Sequence, residues 1–306
     1  MSTEQRIAVL AMAYGTPASA DQILPYYTDI RRGSPPSPEQ LAALTARYAA
    51  IGGVSPLAAR STAQCDALQL ALDSAAPGRY LVSLGTKHGT PRIEDSVATL
   101  AVAGFRRIIG VVLAPHYSAY SVGQYLDRLA GAGAEHGITV DGIRSWATEP
   151  AFIEFIAADL AARLAVMPPN TKVVFTAHSL PERILATGDP YAAELRSTAE
   201  AVAAAVGLGR WSQWSVAWQS AGRTSEQWIG PDILQVIDEL SVSENADGVL
   251  VSAVGFVADH LEVLYDLDIE ASARAEKAGL RFDRTACVND DPGVMAALAA
   301  RVTALG

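Results

Sequence analysis

The sequence predicts an α/β protein of two doubly wound, Rossmann-like lobes. Each lobe is expected to carry a mostly parallel four-stranded sheet, with an active-site cleft between them. Three observations predict this. Short apolar, β-branched runs recur along the 306 residues and alternate with longer Ala/Leu-rich stretches of helical period, the grammar of parallel strands joined by helical crossovers. The runs are apolar at successive positions, which requires sheets covered on both faces. A chain of this length is long for one core and comfortable for two of about 150 residues.

The expected strands are Arg6–Tyr14, Tyr80–Thr86, Ile108–Pro115, Val140–Ile143, Lys172–Ala177, Ser215–Gln219 and Gly248–Gly255. The expected helices are Pro38–Ile51, Ala59–Ser74, Ile93–Ala103, Val122–Ala134, Ala151–Val166, Tyr191–Val206, Ile233–Leu240 and Pro292–Leu305. Ser37 is a candidate N-cap for the first helix and Gly52-Gly53 its stop. The boundary falls near residue 145, giving lobes over 1–145 and 146–289, with the closing helix (about 290–306) packing back on the first.

Half of the residues are apolar and 18% are charged, the balance of a soluble globular chain. The net charge is −10 and Lys/Arg form no long runs, which argues against a nucleic-acid binder. No apolar run approaches the roughly 20 residues of a membrane-spanning helix, and no signal-peptide cleavage pattern follows the opening MSTEQRIAVLAMAY. The expectation is cytoplasmic. Cys65 and Cys287 are far apart, so neither a disulfide framework nor a four-cysteine zinc or iron–sulfur site within one chain is expected. Two buried free thiols are the simplest reading.

In doubly wound sheets ligands lie beyond the carboxyl ends of strands, so the strand exits hold the candidates. The first exit is Ala13-Tyr14-Gly15-Thr16-Pro17; Tyr14 there either packs at a sheet edge or faces a ligand. The second, Gly85-Thr86-Lys87-His88-Gly89, carries two proton-bearing groups. The third is Ala114-Pro115-His116-Tyr117-Ser118, followed by Tyr120 and Tyr125. The fifth strand delivers His178 at the end of an apolar run. The last exit leads to Glu262, Asp266 and Glu270, spaced i, i+4, i+8. On an α-helix these form one acidic stripe, without Lys or Arg at matching spacing before Arg274. Such a stripe suits a hydrated divalent cation or simply faces solvent. No strand is followed by GxGxxG, and GxxxxGK[ST], HExxH and GxSxG are absent from the sequence.

These motifs resemble a known family. Met12-Ala-Tyr-Gly-Thr-Pro17, Tyr26-Tyr-Thr-Asp-Ile-Arg-Arg-Gly33, Arg47-Tyr48 with Ser55-Pro56, Thr86-Lys-His88, Ala114-Pro-His116, Thr176-Ala-His178-Ser-Leu-Pro181, Trp218-Gln-Ser220 and Gly255 through Asp266 occur in order along nearly the whole chain. They are similar to bacterial ferrochelatases, most closely the soluble Gram-positive branch that inserts Fe²⁺ into coproporphyrin III. The resemblance implies catalytic roles for His178 and Glu262 on opposite sides of the chelation site, with His178 as proton acceptor and metal contact. It implies that Tyr14 can ligate the iron of the metallated product and that Arg31, Arg47, Tyr48, Ser55 and Tyr125 hold the macrocycle and its propionates. Asp266 and Glu270 match an acidic line leading away from the site.

The implied partner is a porphyrin bearing propionates. Fe²⁺ is a substrate, and neither a permanently bound cofactor nor an iron–sulfur cluster is expected. A monomer in transient contact with neighbouring haem-pathway enzymes fits the pattern. Some high-alanine members carry four cysteines near the C-terminus where this chain has Cys287 alone, and Ala253 stands where relatives have Pro. The competing readings are the same chemistry on protoporphyrin IX, another divalent metal such as Co²⁺, a non-catalytic tetrapyrrole carrier, and a bilobed small-molecule receptor.

Overall fold

The computed structural model describes residues 6–209, 213–222, 224–242 and 246–306. Along the first half run β1 (Ile7–Ala13), α1 (Ile23–Ile30), α2 (Pro38–Ala50), α3 (Leu57–Ala75), β2 (Tyr80–Thr86), α4 (Ile93–Val102), β3 (Arg107–Val112), α5 (Val122–Glu135) and β4 (Thr139–Ile143). The second half supplies α6 (Pro150–Leu164), β5 (Thr171–His178), α7 (Arg183–Ala186), α8 (Tyr191–Ala205), β6 (Trp214–Gln219), α9 (Ile233–Val242) and β7 (Gly248–Ser252). It closes with α10 (Leu261–Leu264), α11 (Ser272–Lys277), β8 (Arg281–Arg284) and α12 (Pro292–Leu305).

Two four-stranded sheets form, in the orders β2-β1-β3-β4 and β6-β5-β7-β8, and every strand pair is parallel. The central strands explain the apolar runs. All seven residues of β1 and all five of β7 are buried, because helices cover both faces of a parallel sheet. In both sheets the order reverses beside the first strand in sequence, so β1 and β5 occupy equivalent places. Their exits are the topological switch points where such sheets bind ligands. Tyr14 follows β1, and His178 ends β5.

The chain divides into two compact units. The first comprises Met1–Ala114, Ser121–Ser145 and Asn289–Gly306; the second comprises Pro115–Tyr120 and Trp146–Val288. Helix α12 belongs to the first, packed along α3, where the Gln64 amide donates to the Asn289 carbonyl at 3.0 Å. The strap Pro115–Tyr120 departs from an uninterrupted 1–145 lobe. Acceptors of the second unit hold it: Glu194 takes the Tyr117 N–H at 2.6 Å, and Asp189 takes the Ser118 hydroxyl and the Ala119 N–H at 2.9 and 2.8 Å.

Local chemistry sets the element ends. Ser37 caps α2 in a reciprocal box with Gln40, at 3.2 Å in one direction and 2.9 Å in the other. Two elements carry no clear pattern. Helix α1 contains Pro25 and two tyrosines, yet its proline sits in the first turn, where no intrahelical N–H is needed. Strand β8 reads Arg-Phe-Asp-Arg and, among the described residues, pairs with β7 alone; an edge strand half in solvent has no need of an apolar run.

Candidate active site

In the second unit β5 delivers His178, and one turn of α10 delivers Glu262. Their closest atoms, His178 Nε2 and Glu262 Oε1, lie 3.5 Å apart, side by side rather than on opposite sides of a site, with side chains 33% and 31% exposed, so the pair is held in the protein yet reachable. A third group completes the arrangement. His260 Nε2 lies 3.5 Å from the other carboxylate oxygen, Oε2, so Glu262 stands between two imidazoles.

Both rings have a defined orientation. His178 Nδ1 donates to the Ser179 carbonyl, and His260 Nδ1 donates to the Ala258 carbonyl at 2.9 Å. A carbonyl only accepts, so the Nδ1 proton is fixed in each ring and Nε2 is left facing the carboxylate. Each Nε2 can then take a proton or offer an electron pair to a metal. Burial draws the His178 pKa down, but the Glu262 charge and the Ser179 carbonyl outweigh it, and the balance is raised. Burial alone would raise the Glu262 pKa; the two imidazoles instead hold it well below the usual carboxylate range. Glu262 is therefore an anion at neutral pH.

Aromatic rings surround the pair. Trp228 and Phe256 have centroids 6.3 and 6.4 Å from the His178 ring, and Phe256 lies 4.9 Å from His260. Such walls lower the local dielectric and suit a flat apolar ligand. A Cβ at Gly222 would meet the Trp228 ring at 2.3 Å, so only glycine permits this packing.

The acidic stripe differs from its expected form. After α10 the chain winds as a π-helix over Asp266–Ala271, with Glu270 N–H bonded to Tyr265 O at 2.9 Å, an i→i+5 bond. In four residues an α-helix overshoots a full turn, whereas the wider π winding undershoots it. The two offsets oppose, so the segment is not the continuous α-helix on which one regular stripe would form. The three carboxylates are not equivalent. Asp266 is buried and accepts the Ser220 hydroxyl, and Glu270 is exposed. The nearby arginines pair with other carboxylates: Arg274 with Asp238, and Arg284 with Asp268 at 2.5 Å and Asp259 at 3.3 Å. Among the described residues no three His, Cys, Asp or Glu side chains are grouped as a metal cage.

In the first unit Tyr14 is 41% exposed, with its ring 4.9 Å from that of His88. His88 Nδ1 is 2.7 Å from Asp29, which also binds Arg92 at 2.6 Å. Lys87 donates to Gln124 at 2.6 Å and lies 5.3 Å over the Tyr125 ring. Burial, with Arg128 and Arg32 nearby, pushes the Lys87 amine down to about 8. Among the other candidates Tyr125, Tyr48 and Ser55 are buried. The Tyr48 hydroxyl is 3.4 Å from that of Thr16, and the Ser55 hydroxyl accepts the Leu57 N–H at 3.2 Å. Arg31 lies 5.7 Å over the Tyr27 ring at the end of α1, and Arg47 is in the last turn of α2. An open groove of about 510 Å³ is lined by Leu24, Pro25, Thr28, Asp29, Gly33 and Arg92.

Gly15 holds this exit together. Its φ is +92°, and a Cβ would fall 1.4 Å from the His88 carbonyl oxygen. Gly15→Ala is expected to cost at least about 2 kcal/mol, since it combines a left-handed backbone with a collision against main chain. A urea midpoint equal to that of the parent protein would refute this account.

Sequence reasoning did not single out His260, Gln219 or Trp228 for roles at the site. A signal was present for His260, two residues before Glu262 on the same strand exit, and for Gln219, which lies within the Trp218-Gln-Ser220 motif. Trp228 is an aromatic side chain of ordinary type, and only the fold brings it to His178.

The chain matches the ferrochelatase family model over residues 6–305. It belongs to the ferrochelatase family. The ferrochelatase of Herpetosiphon aurantiacus is 41% identical, aligned over 97% of this chain and 98% of its own length. The coproporphyrin III ferrochelatase of Oceanobacillus iheyensis is 40% identical over 97% and 96%, and that of Geobacillus kaustophilus 41% over 96% and 94%. Among solved structures, SirB from Bacillus subtilis with Fe³⁺ aligns at a TM-score of 0.56 and 13% identity, over 98% of this chain and 95% of that one. CbiX aligns at 0.56 and 14%, over 98% and 99%. At such identity these two share the fold, an α/β chelatase architecture with parallel sheets. No helix among the described residues is long and apolar enough to cross a membrane.

Proposed function

We propose that this ferrochelatase-family chain inserts Fe²⁺ into coproporphyrin III, giving the iron porphyrin coproheme. The observation that carries the reading is the His178–Glu262 pair, 3.5 Å apart at the switch point of the second sheet. The 40 and 41% identical relatives named coproporphyrin III ferrochelatases support the choice of porphyrin.

Metallation replaces two pyrrole N–H protons with one divalent ion, so the site must take up two protons and admit a partly dehydrated cation. His178 accepts a pyrrole proton at Nε2, and the Glu262 anion stabilises the imidazolium that results. His260, on the far oxygen of the same carboxylate, is placed to receive the second. Before it takes a pyrrole proton, the neutral His178 is, with Glu262, also a competent donor to Fe²⁺, since its one free lone pair serves the metal or the proton in turn. Asp266 and Glu270 continue the acidic line, with the exposed Glu270 meeting the hydrated ion first. In the first unit Arg31 and Arg47 pair with propionates, while Tyr14, Tyr48, Ser55 and Tyr125 support the macrocycle. Tyr14, the exposed tyrosine of that set, is the candidate axial ligand of the product iron.

An anaerobic insertion assay with Fe²⁺, followed by the porphyrin absorption bands, tests the substrate. Coproporphyrin III is expected to turn over with a kcat/KM at least about tenfold above that of protoporphyrin IX, the contribution of roughly one further buried carboxylate contact. A preference for protoporphyrin IX would overturn the choice of porphyrin, and binding without turnover would favour a tetrapyrrole carrier.

A further inference from the structure

Strand β6 ends on Gln219, whose side chain is wholly buried and makes two bonds of opposite kind. Its Oε1 accepts the Thr176 hydroxyl at 2.8 Å, and its Nε2 donates to the backbone carbonyl of Glu262 at 3.2 Å. Thr176 is itself fully buried and stands two residues before His178 on β5. One amide thus connects the strand that ends in His178 to the residue that His178 faces. The main chain adds to the connection: Gln219 is paired with His178 in register, and its carbonyl accepts the Ser179 N–H at 2.7 Å. The next residue, Ser220, has φ +60° and donates to buried Asp266. Two consecutive residues therefore hold both ends of the turn between Glu262 and Asp266.

The chemistry of this position is narrow. The Thr176 hydroxyl requires an acceptor and the Glu262 carbonyl requires a donor, and a primary amide offers both on one planar group. A carboxylate would set an anion against the carbonyl, and a thioether would leave both groups without a partner in a dry interior. The distance being held also has a use. Two donor atoms each about 2.1 Å from one first-row divalent ion lie about 3.0 to 3.5 Å apart, which is the spacing of His178 Nε2 and Glu262 Oε1.

We propose that Gln219 is a positioning residue for metallation, holding the Glu262 backbone against β5 so that Glu262 and His178 engage one Fe²⁺ together. This rests on the reading of that pair as the metallation pair. Displacing Glu262 weakens the joint contact with the metal and leaves the porphyrin-binding residues of the first unit unchanged. A displacement of a fraction of an ångström at such a site costs rate rather than fold.

The test is steady-state insertion with Fe²⁺ and coproporphyrin III varied separately, together with metal-free porphyrin binding by fluorescence quenching. Gln219→Met is expected to lower kcat about tenfold and raise the KM for Fe²⁺ at least about fivefold, with porphyrin Kd within about twofold of the parent. Thr176→Val should reproduce the direction at about threefold, and Thr176→Ser, which restores the hydroxyl, should return within twofold. A folded Gln219→Met with parental kcat and Fe²⁺ KM would overturn the proposal. If that variant does not fold, equal and parental kinetics in Thr176→Val and Thr176→Ser would overturn it instead. His178→Ala separates the two levels. Intact metallation there removes the pair itself, whereas its loss beside an unaffected Gln219→Met removes only the positioning role.

Discussion

His178→Ala is expected to bind porphyrin as the parent does and to insert Fe²⁺ at least about a hundredfold more slowly, the scale of losing a positioned general base. The Nδ1 proton is committed to the Ser179 carbonyl, so the neutral imidazole presents its lone pair at Nε2. The adjacent Glu262 charge raises the His178 pKa above the ordinary value near 6.5, which makes proton capture from a pyrrole more favourable than by a free imidazole. The side chain is a third exposed, so its removal opens a small gap at the site surface and leaves the core of the unit intact. Unfolding midpoints close to the parent value are the control. Metallation within about fivefold of the parent would show that another group takes the proton.

Glu262→Gln carries the second large effect. The amide keeps the shape of the side chain and removes its charge. Metallation is expected to fall by about a hundredfold, and the KM for Fe²⁺ to rise, because a neutral oxygen is a poor substitute for a carboxylate facing a divalent ion. The variant also makes a prediction about pH. In the parent, Glu262 lifts the pKa of His178, so the rate falls as pH drops through that raised value and His178 becomes protonated. Without the carboxylate the burial of the ring dominates. The His178 pKa then falls, and the acid limb of the remaining activity moves to lower pH. A histidine-selective NMR titration reads the shift without turnover. An unmoved His178 pKa in Glu262→Gln would refute the electrostatic coupling that both predictions use.

The legible parts of this site were those encoded locally. An apolar strand that stops on His178, a strand that stops before Tyr14-Gly15, and an N-cap at Ser37 each declare themselves within a few residues, because strand period, burial and capping are short-range properties. The acidic residues at 262, 266 and 270 were visible as a spacing, but their winding was not. Ser220 and Arg284 reach that segment through space at Asp266 and Asp268, contacts that no local sequence pattern declares. Strand β8 and helix α1 were missed for related reasons, the one an edge strand free of apolar patterning and the other a helix whose proline is harmless only at its start.

The sequence by itself determined the alternation of strands and helices, the parallel pairing of all strands but β8, the identity of the residues at each strand exit, and membership of the ferrochelatase family. The tertiary structure alone decided how those residues act on one another. It turned two imidazole Nε2 atoms onto the two oxygens of Glu262, drew the strap Pro115–Tyr120 into the second unit, and set buried Gln219 between β5 and the Glu262 carbonyl. The physical reason is sequence separation. His178, Gln219 and Glu262 lie on different segments of the chain, and a pKa, a tautomer or a donor–acceptor distance exists only once packing has fixed all three.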